Sequence, residues 1–152
     1  EAEVGHVGGS EDGIVSDILN ASLEECVRIS EETGIDSLAP ALGSVHGLYV
    51  GEPNLDFEAM KEINEALEIP LVLHGGSGLS NEDVRECIKR GICKVNFATE
   101  LRIAFTDGIK EELKNNPDAY DPKLFGKAGM KKVIDLVKDR ISLCGSEGKA
   151  NV

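Results

Sequence analysis

Short apolar runs alternate with longer stretches whose apolar positions recur every three or four residues, and this alternation repeats four times along the chain. Residues 1–5, EAEVG, read as a strand with Glu1 and Glu3 on one face. The glycine-rich HVGGSEDG at 6–13 reads as a loop. Ser22 followed by Glu25 is a capping-box signature that opens a helix, and Gly34 stops it. Residues 35–43 are predicted as the second strand. A loop from 44 to 54 follows, and Asp56 then caps a helix bearing Phe57, Met60, Ile63 and Leu67 at helical spacing before Pro70 ends it. The third strand is expected at 70–73, after which Ser80 with Asp83 starts a helix carrying Val84, Cys87 and Ile88. The fourth is expected at 92–97, followed by a helix with Leu101, Ala104, Phe105, Ile109 and Leu113. A final amphipathic helix is predicted from about Lys127 to Leu143, after the loop PDAYDPKLF.

Regular strand–helix alternation implies a parallel sheet, either doubly wound or closed into a (β/α)₈ barrel. The dinucleotide-binding version is disfavoured. HGGSG at 74–78 lacks the G-x-G-x-x-G spacing, and no acidic residue follows at a strand end about twenty positions later. A barrel takes about 250 residues and eight units. Four units in 152 residues make about half of one, and the chain opens directly on a strand. The expected fold is therefore α/β, the C-terminal half of a (β/α)₈ TIM barrel. Residues 1–152 would form part of a single domain, with the N-terminal half of the same barrel as partner. An open four-stranded sheet would leave an unpaired edge on each side.

Composition narrows the class. With 41% hydrophobic and 29% charged residues the chain is an ordinary globular sequence, and no segment approaches the roughly 20 apolar residues of a membrane span. A cytoplasmic protein is expected. The net charge of −12 argues against a nucleic-acid partner, whose binding depends on Lys and Arg displacing counterions. Cys26, Cys87, Cys93 and Cys144 show no C-x-x-C pair, so reduced, mostly buried thiols are expected.

The candidate chemistry lies at strand ends. IPLVLHGGSG (69–78) sets His74 at the carboxyl end of the third strand, beside glycine N–H groups able to cradle a phosphate. His46, 28 residues upstream in GSVHGLY, is one repeat away and is also followed by glycine. VNFATE (95–100) adds polar groups at a third strand end.

The blocks EAEVG-x-x-GG-x-ED, APALGSVHGLY-x-GEPNL-x-F, PLVLHGGSG, KVNFATELRIAF and YDP-x-x-F closely resemble, in order, the second half of the class II, zinc-dependent ketose-bisphosphate aldolases. The resemblance implies a barrel enzyme, usually a homo-oligomer, that cleaves fructose or tagatose 1,6-bisphosphate to two triose phosphates without a Schiff base. Such cleavage leaves negative charge beside a carbonyl, and Zn²⁺ held by neutral imidazoles with positions left open suits its stabilisation. By resemblance His46 and His74 are two of three zinc histidines, the third lying upstream of this chain, and Glu3 is an alternative zinc ligand. His6 has no family role and reads as a surface residue.

The resemblance also assigns Gly47, Gly75 and Ser77 to the dihydroxyacetone phosphate end of the substrate or to a monovalent cation, Na⁺ or K⁺, beside it. Asn96, Ala98 through its N–H, and Thr99 complete that side. Glu11, in the glycine-flanked GGSEDG, matches a mobile-loop carboxylate that exchanges the substrate proton, with Asp12 adjacent. A further acid/base aspartate lies upstream. Lys127 stands where many members use arginine for the distal phosphate; lysine supplies charge there without a bidentate fork. Fructose 1,6-bisphosphate is the favoured substrate and tagatose 1,6-bisphosphate the alternative. Two other readings stay open: a non-catalytic fragment or assembly module, and a metal-independent phosphate-binding barrel enzyme.

Overall fold

The computed structural model of the protein describes residues 1–11, 14–16, 19–47, 49 and 52–150, with the backbone alone at 10, 11 and 14–16. It divides into two compact units, Glu1–Ala98 and Thr99–Val152. In chain order the first carries β1 (Ala2–Val4), β2 (Gly8–Glu11), β3 (Ile14–Ser16), α1 (Leu23–Thr33), β4 (Leu38–Pro40), β5 (Val45–His46), α2 (Phe57–Ala66), β6 (Leu71–Leu73), α3 (Asn81–Lys89) and β7 (Ile92–Val95). The second carries α4 (Thr99–Asn115) and α5 (Pro122–Leu143).

The main sheet has the order β1-β4-β6-β7, and every neighbouring pair is parallel. Its central strands are buried on both faces: Leu38, Ala39, Leu71, Val72 and Leu73 are all at most 2% exposed. That continuous burial is why these runs are uniformly apolar rather than alternating. Helices α1, α2 and α3 contribute Cys26, Met60, Ile63, Val84 and Cys87 to the same core. Each large apolar side chain buried there contributes roughly 1.5–3 kcal/mol.

The helix starts form as their sequences dictate. Ser22 Oγ accepts from the Glu25 N–H at 3.3 Å while the Glu25 carboxylate accepts from the Ser22 N–H at 3.1 Å, and Gly34 closes α1 in the left-handed region at φ +63°. Asp56 caps α2 and Ser80 caps α3, each accepting a backbone N–H at 3.0 Å.

Several expectations are corrected. Residues 6–13 are not simply a loop: Gly8–Glu11 forms β2, which pairs antiparallel with β3 and parallel with β5. Gly9, at φ +101°, lies directly against the backbone of His46, and a Cβ there would collide with the His46 carbonyl. The second strand is shorter than 35–43. Pro40 has no N–H to extend the ladder, and Gly43 turns the chain at φ +94°. The fourth ends at Val95 rather than at residue 97. α5 begins at Pro122, not near Lys127, because Asp121 accepts from the Lys123 N–H at 2.9 Å and Pro122 needs no donor in the first turn. Of the four thiols, Cys26 and Cys87 are buried, Cys144 is half-buried and Cys93 is exposed.

In the second unit α4 and α5 meet at two glycines. A Cβ on Gly108 would sit 2.6 Å from the Ala128 carbonyl oxygen, and one on Gly129 would sit 2.7 Å from the Phe105 ring. Arg140 donates to both oxygens of Glu100, at 2.6 and 2.8 Å, a bidentate fork that ties the two helices. Phe105 and Leu113, expected on an apolar helix face, are exposed. Among the described residues no helix is long and apolar enough to cross a membrane.

Candidate active site

Three short elements bring three ligand-type side chains together. Glu3 sits in β1, His46 ends β5, and His74 immediately follows β6. Each offers one ligand atom, and these atoms all lie within 4.8 Å of one another. The imidazole centroids are 6.0 Å apart and the rings are tilted by 51°. Two neutral imidazoles and a carboxylate make the His₂Glu donor set found in catalytic zinc sites, so these residues fit the metal that the resemblance implies.

His74 is held on both sides. Its Nδ1 lies 2.5 Å from Glu3 Oε2 and its Nε2 lies 3.0 Å from Glu1 Oε1. Lys94, in β7, donates to the other oxygen of Glu1 at 2.5 Å. That bond, followed by the one to His74, lowers the Glu1 carboxyl to about 2, so Glu1 is an ionised, acceptor-only group at neutral pH. Carboxylates at both ring nitrogens fix the ring orientation from two sides, and an ion bound on the Glu3 side would take Nδ1 and keep Glu1 as the partner of Nε2. A carboxylate behind the far nitrogen is the usual second partner of a metal-ligating histidine.

The two histidine segments are also tied to each other. The Tyr49 hydroxyl accepts from the Val45 N–H at 3.0 Å and donates to the Gly75 carbonyl at 3.1 Å. Gly47 and Gly75 follow the two histidines at φ +90° and +69°. Ser77 is 4% exposed, and its Oγ accepts from the Ala98 N–H at 3.1 Å, so the N–H expected to face a phosphate is directed to Ser77 in this structure. The Asn96 backbone joins the ends of β6 and β7: its N–H donates to Leu73 at 2.9 Å and its carbonyl accepts from Gly76 at 3.1 Å.

Other expected residues fall elsewhere. The Glu11 backbone ends β2, but the Glu11 side chain and Asp12 lie outside the described residues. Thr99 opens α4 and Lys127 is an exposed residue of α5, both in the second unit. His6 is exposed, as expected. Glu1, Lys94 and Tyr49 had no site role in the sequence reading. Glu1 was within reach, because it shares a strand face with Glu3 two residues on.

A family model described as fructose-bisphosphate aldolase class-II matches residues 1–149. The chain belongs to this family. Among curated relatives of this class II aldolase chain, the 6-phospho-5-dehydro-2-deoxy-D-gluconate aldolase of Bacillus licheniformis is 48% identical over 150 residues, covering 99% of the chain and 51% of that protein. Its namesake in Bacillus subtilis strain 168 is 46% identical over 150 residues, with 99% and 52% covered. The chain thus spans about half the length of the curated relatives it matches. Among solved structures, the YdjI aldolase from Escherichia coli K12 superposes with a TM-score of 0.77 at 38% identity, over 88% of this chain and 48% of that one. A putative fructose-1,6-biphosphate aldolase from Coccidioides immitis superposes with a TM-score of 0.81 at 29% identity, over 97% and 52%. The parallel α/β fold is consistent with the C-terminal half of a class II aldolase barrel.

Proposed function

We propose that this chain forms the C-terminal part of a single-domain, zinc-dependent aldolase barrel and supplies two imidazoles and a carboxylate to its metal centre. The observation that carries this reading is the convergence of Glu3, His46 and His74 within 4.8 Å, in a chain of the class II aldolase family. Zinc bound there would supply Lewis acidity toward the substrate ketone. The residues of this chain hold and orient: Glu1 and Lys94 fix His74, and the turns at Gly47, Gly75 and Ser77 line the phosphate end of the substrate, with a monovalent cation beside them. Glu11 exchanges the proton on the carbon that is left behind. A phosphorylated substrate and free thiols are in keeping with a cytoplasmic protein.

For the substrate, the relatives at 46–48% identity support 6-phospho-5-dehydro-2-deoxy-D-gluconate. That name describes a ketone at C5 with hydroxyls at C4 and C3. Retro-aldol cleavage breaks C3–C4, the C3 hydroxyl gives up its proton as C3 becomes an aldehyde, and C4 takes a proton. The products are dihydroxyacetone phosphate and 3-oxopropanoate. Fructose 1,6-bisphosphate, the substrate favoured from the sequence, gives the same dihydroxyacetone phosphate half and differs in carrying a distal phosphate instead of a carboxylate.

The test is the full-length protein assayed with both substrates and with tagatose 1,6-bisphosphate, reading dihydroxyacetone phosphate release. A kcat/KM at least about 100-fold higher for the deoxygluconate is expected, the scale of one well-placed polar contact difference. The reverse preference would restore fructose 1,6-bisphosphate. Zinc-loaded protein that cleaves none of the three would make the chain a non-catalytic member.

A further inference from the structure

Tyr49 takes no part in the ligand cluster, yet its hydroxyl joins the two segments that carry the histidines. Its acceptor bond is to the N–H of Val45, the residue before His46, and its donor bond is to the carbonyl of Gly75, the residue after His74. Those segments also touch directly, since a Cβ on Gly75 would fall 2.8 Å from the Val45 carbonyl carbon. Ring position is set from below as well, because a Cβ on Gly78 would fall 3.0 Å from Tyr49 Cδ2. One half-buried phenol therefore fixes a contact between backbones that are 30 residues apart in sequence, at one bond from each imidazole-bearing residue.

We propose that Tyr49 is a positioning residue of the metal centre, whose bridging hydroxyl sets the separation and relative tilt of His46 and His74. This rests on the reading of those histidines as metal ligands. The hydroxyl must both accept and donate, which only the neutral phenol can do. Burial raises the Tyr49 pKa above its ordinary value, which keeps the proton in place through neutral and mildly alkaline pH. Phenylalanine would keep the ring over Gly78 but leave the Val45 N–H and Gly75 carbonyl unpartnered by the phenol, so the two turns could drift apart while the sheet beneath them is unchanged. Ligand spacing is what a metal site tolerates least, and loss of an outer partner typically weakens metal affinity about 10- to 100-fold.

The experiment uses the full-length protein loaded with Co²⁺, whose visible d–d bands report ligand geometry. Tyr49→Phe should bind Co²⁺ and Zn²⁺ about 10- to 100-fold more weakly, with shifted Co²⁺ bands and an unchanged far-ultraviolet circular dichroism spectrum. His46→Ala and His74→Ala serve as controls. If both controls retain metal, the metal centre itself has been misassigned. If they lose it while Tyr49→Phe binds Co²⁺ within twofold of the parent with the same bands, only the role of Tyr49 falls. Loss of the fold along with the metal would make Tyr49 a structural residue and likewise overturn the proposal.

Discussion

Gly75 and Val45 approach so closely that a Cβ on Gly75 would lie 2.8 Å from the Val45 carbonyl carbon and 3.1 Å from its nitrogen. Gly75 also holds φ at +69°, in the left-handed region. Gly75→Ala therefore meets a backbone clash and a disfavoured dihedral together, and should destabilise the protein by about 2–4 kcal/mol. Denaturant titration checks this. Gly34→Ala, at φ +63° with open space around it, is the control and should cost about 1 kcal/mol from the dihedral alone.

The donor set makes a direct prediction about metal. In the full-length protein, His46→Ala and His74→Ala should each abolish zinc retention through gel filtration and should abolish aldol cleavage, while the fold persists because both histidines lie at strand ends outside the apolar core. Chelation of the parent should remove activity and added zinc should restore it. A metal-free His74→Ala protein with parental turnover would end the assignment.

Glu11 ends β2, whose glycines lie against the strand that carries His46. Glu11→Gln should slow cleavage and the exchange of the C–H proton of dihydroxyacetone phosphate by about 10²–10⁴, the range for a lost general acid–base. Zinc content should not change. An exchange rate equal to the parent's would move the role to Asp12 or elsewhere.

What the sequence discloses divides along a physical line. The capping box at Ser22 and the N-cap at Ser80 are legible because both partners lie within three residues of each other. The strand-end placement of His74 is legible because a buried parallel strand is an unbroken apolar run. The pairing of β2 with β5 is not, since a glycine strand carries no side-chain alternation by which its register can be read. Asp121–Pro122 was a helix start hidden inside what reads as a loop. Tyr49 is invisible for another reason: its partners are backbone atoms, one of them 26 residues away, and backbone atoms leave no mark on composition or spacing.

Burial sets a pH and reactivity pattern among the thiols. Desolvation pushes Cys26 up to about 11 and Cys87 up to about 12, from an ordinary value of 9.0. In the unfolded chain these thiols ionise near 9, while in the folded protein they stay protonated. Their contribution to stability is therefore complete below about pH 9 and is lost progressively as pH rises toward 12. Cys87→Ala should remove part of the alkaline slope in stability measured by denaturation between those pH values. At pH 8 iodoacetamide should label the exposed Cys93 rapidly and Cys26 and Cys87 only through opening of the fold. Equal labelling of all three in native protein would contradict the burial.

The sheet order β1-β4-β6-β7 leaves β1 and β7 as its two edges, and β1 carries Glu3 of the candidate metal centre. Parallel strands buried on both faces are stable when their edges are paired, and open edges template association. The 152-residue chain expressed alone should therefore self-associate, bind zinc weakly and show no aldolase activity. On the proposed barrel reading, mixing it with a separately expressed N-terminal half should give a soluble complex, since two such halves would present complementary edges. Zinc should favour that complex by taking ligands from both halves, so the apparent association constant should rise with free zinc. Analytical ultracentrifugation with and without zinc reads this directly. A monomeric, zinc-loaded and active 152-residue chain would show that Glu3, His46 and His74 complete the centre by themselves.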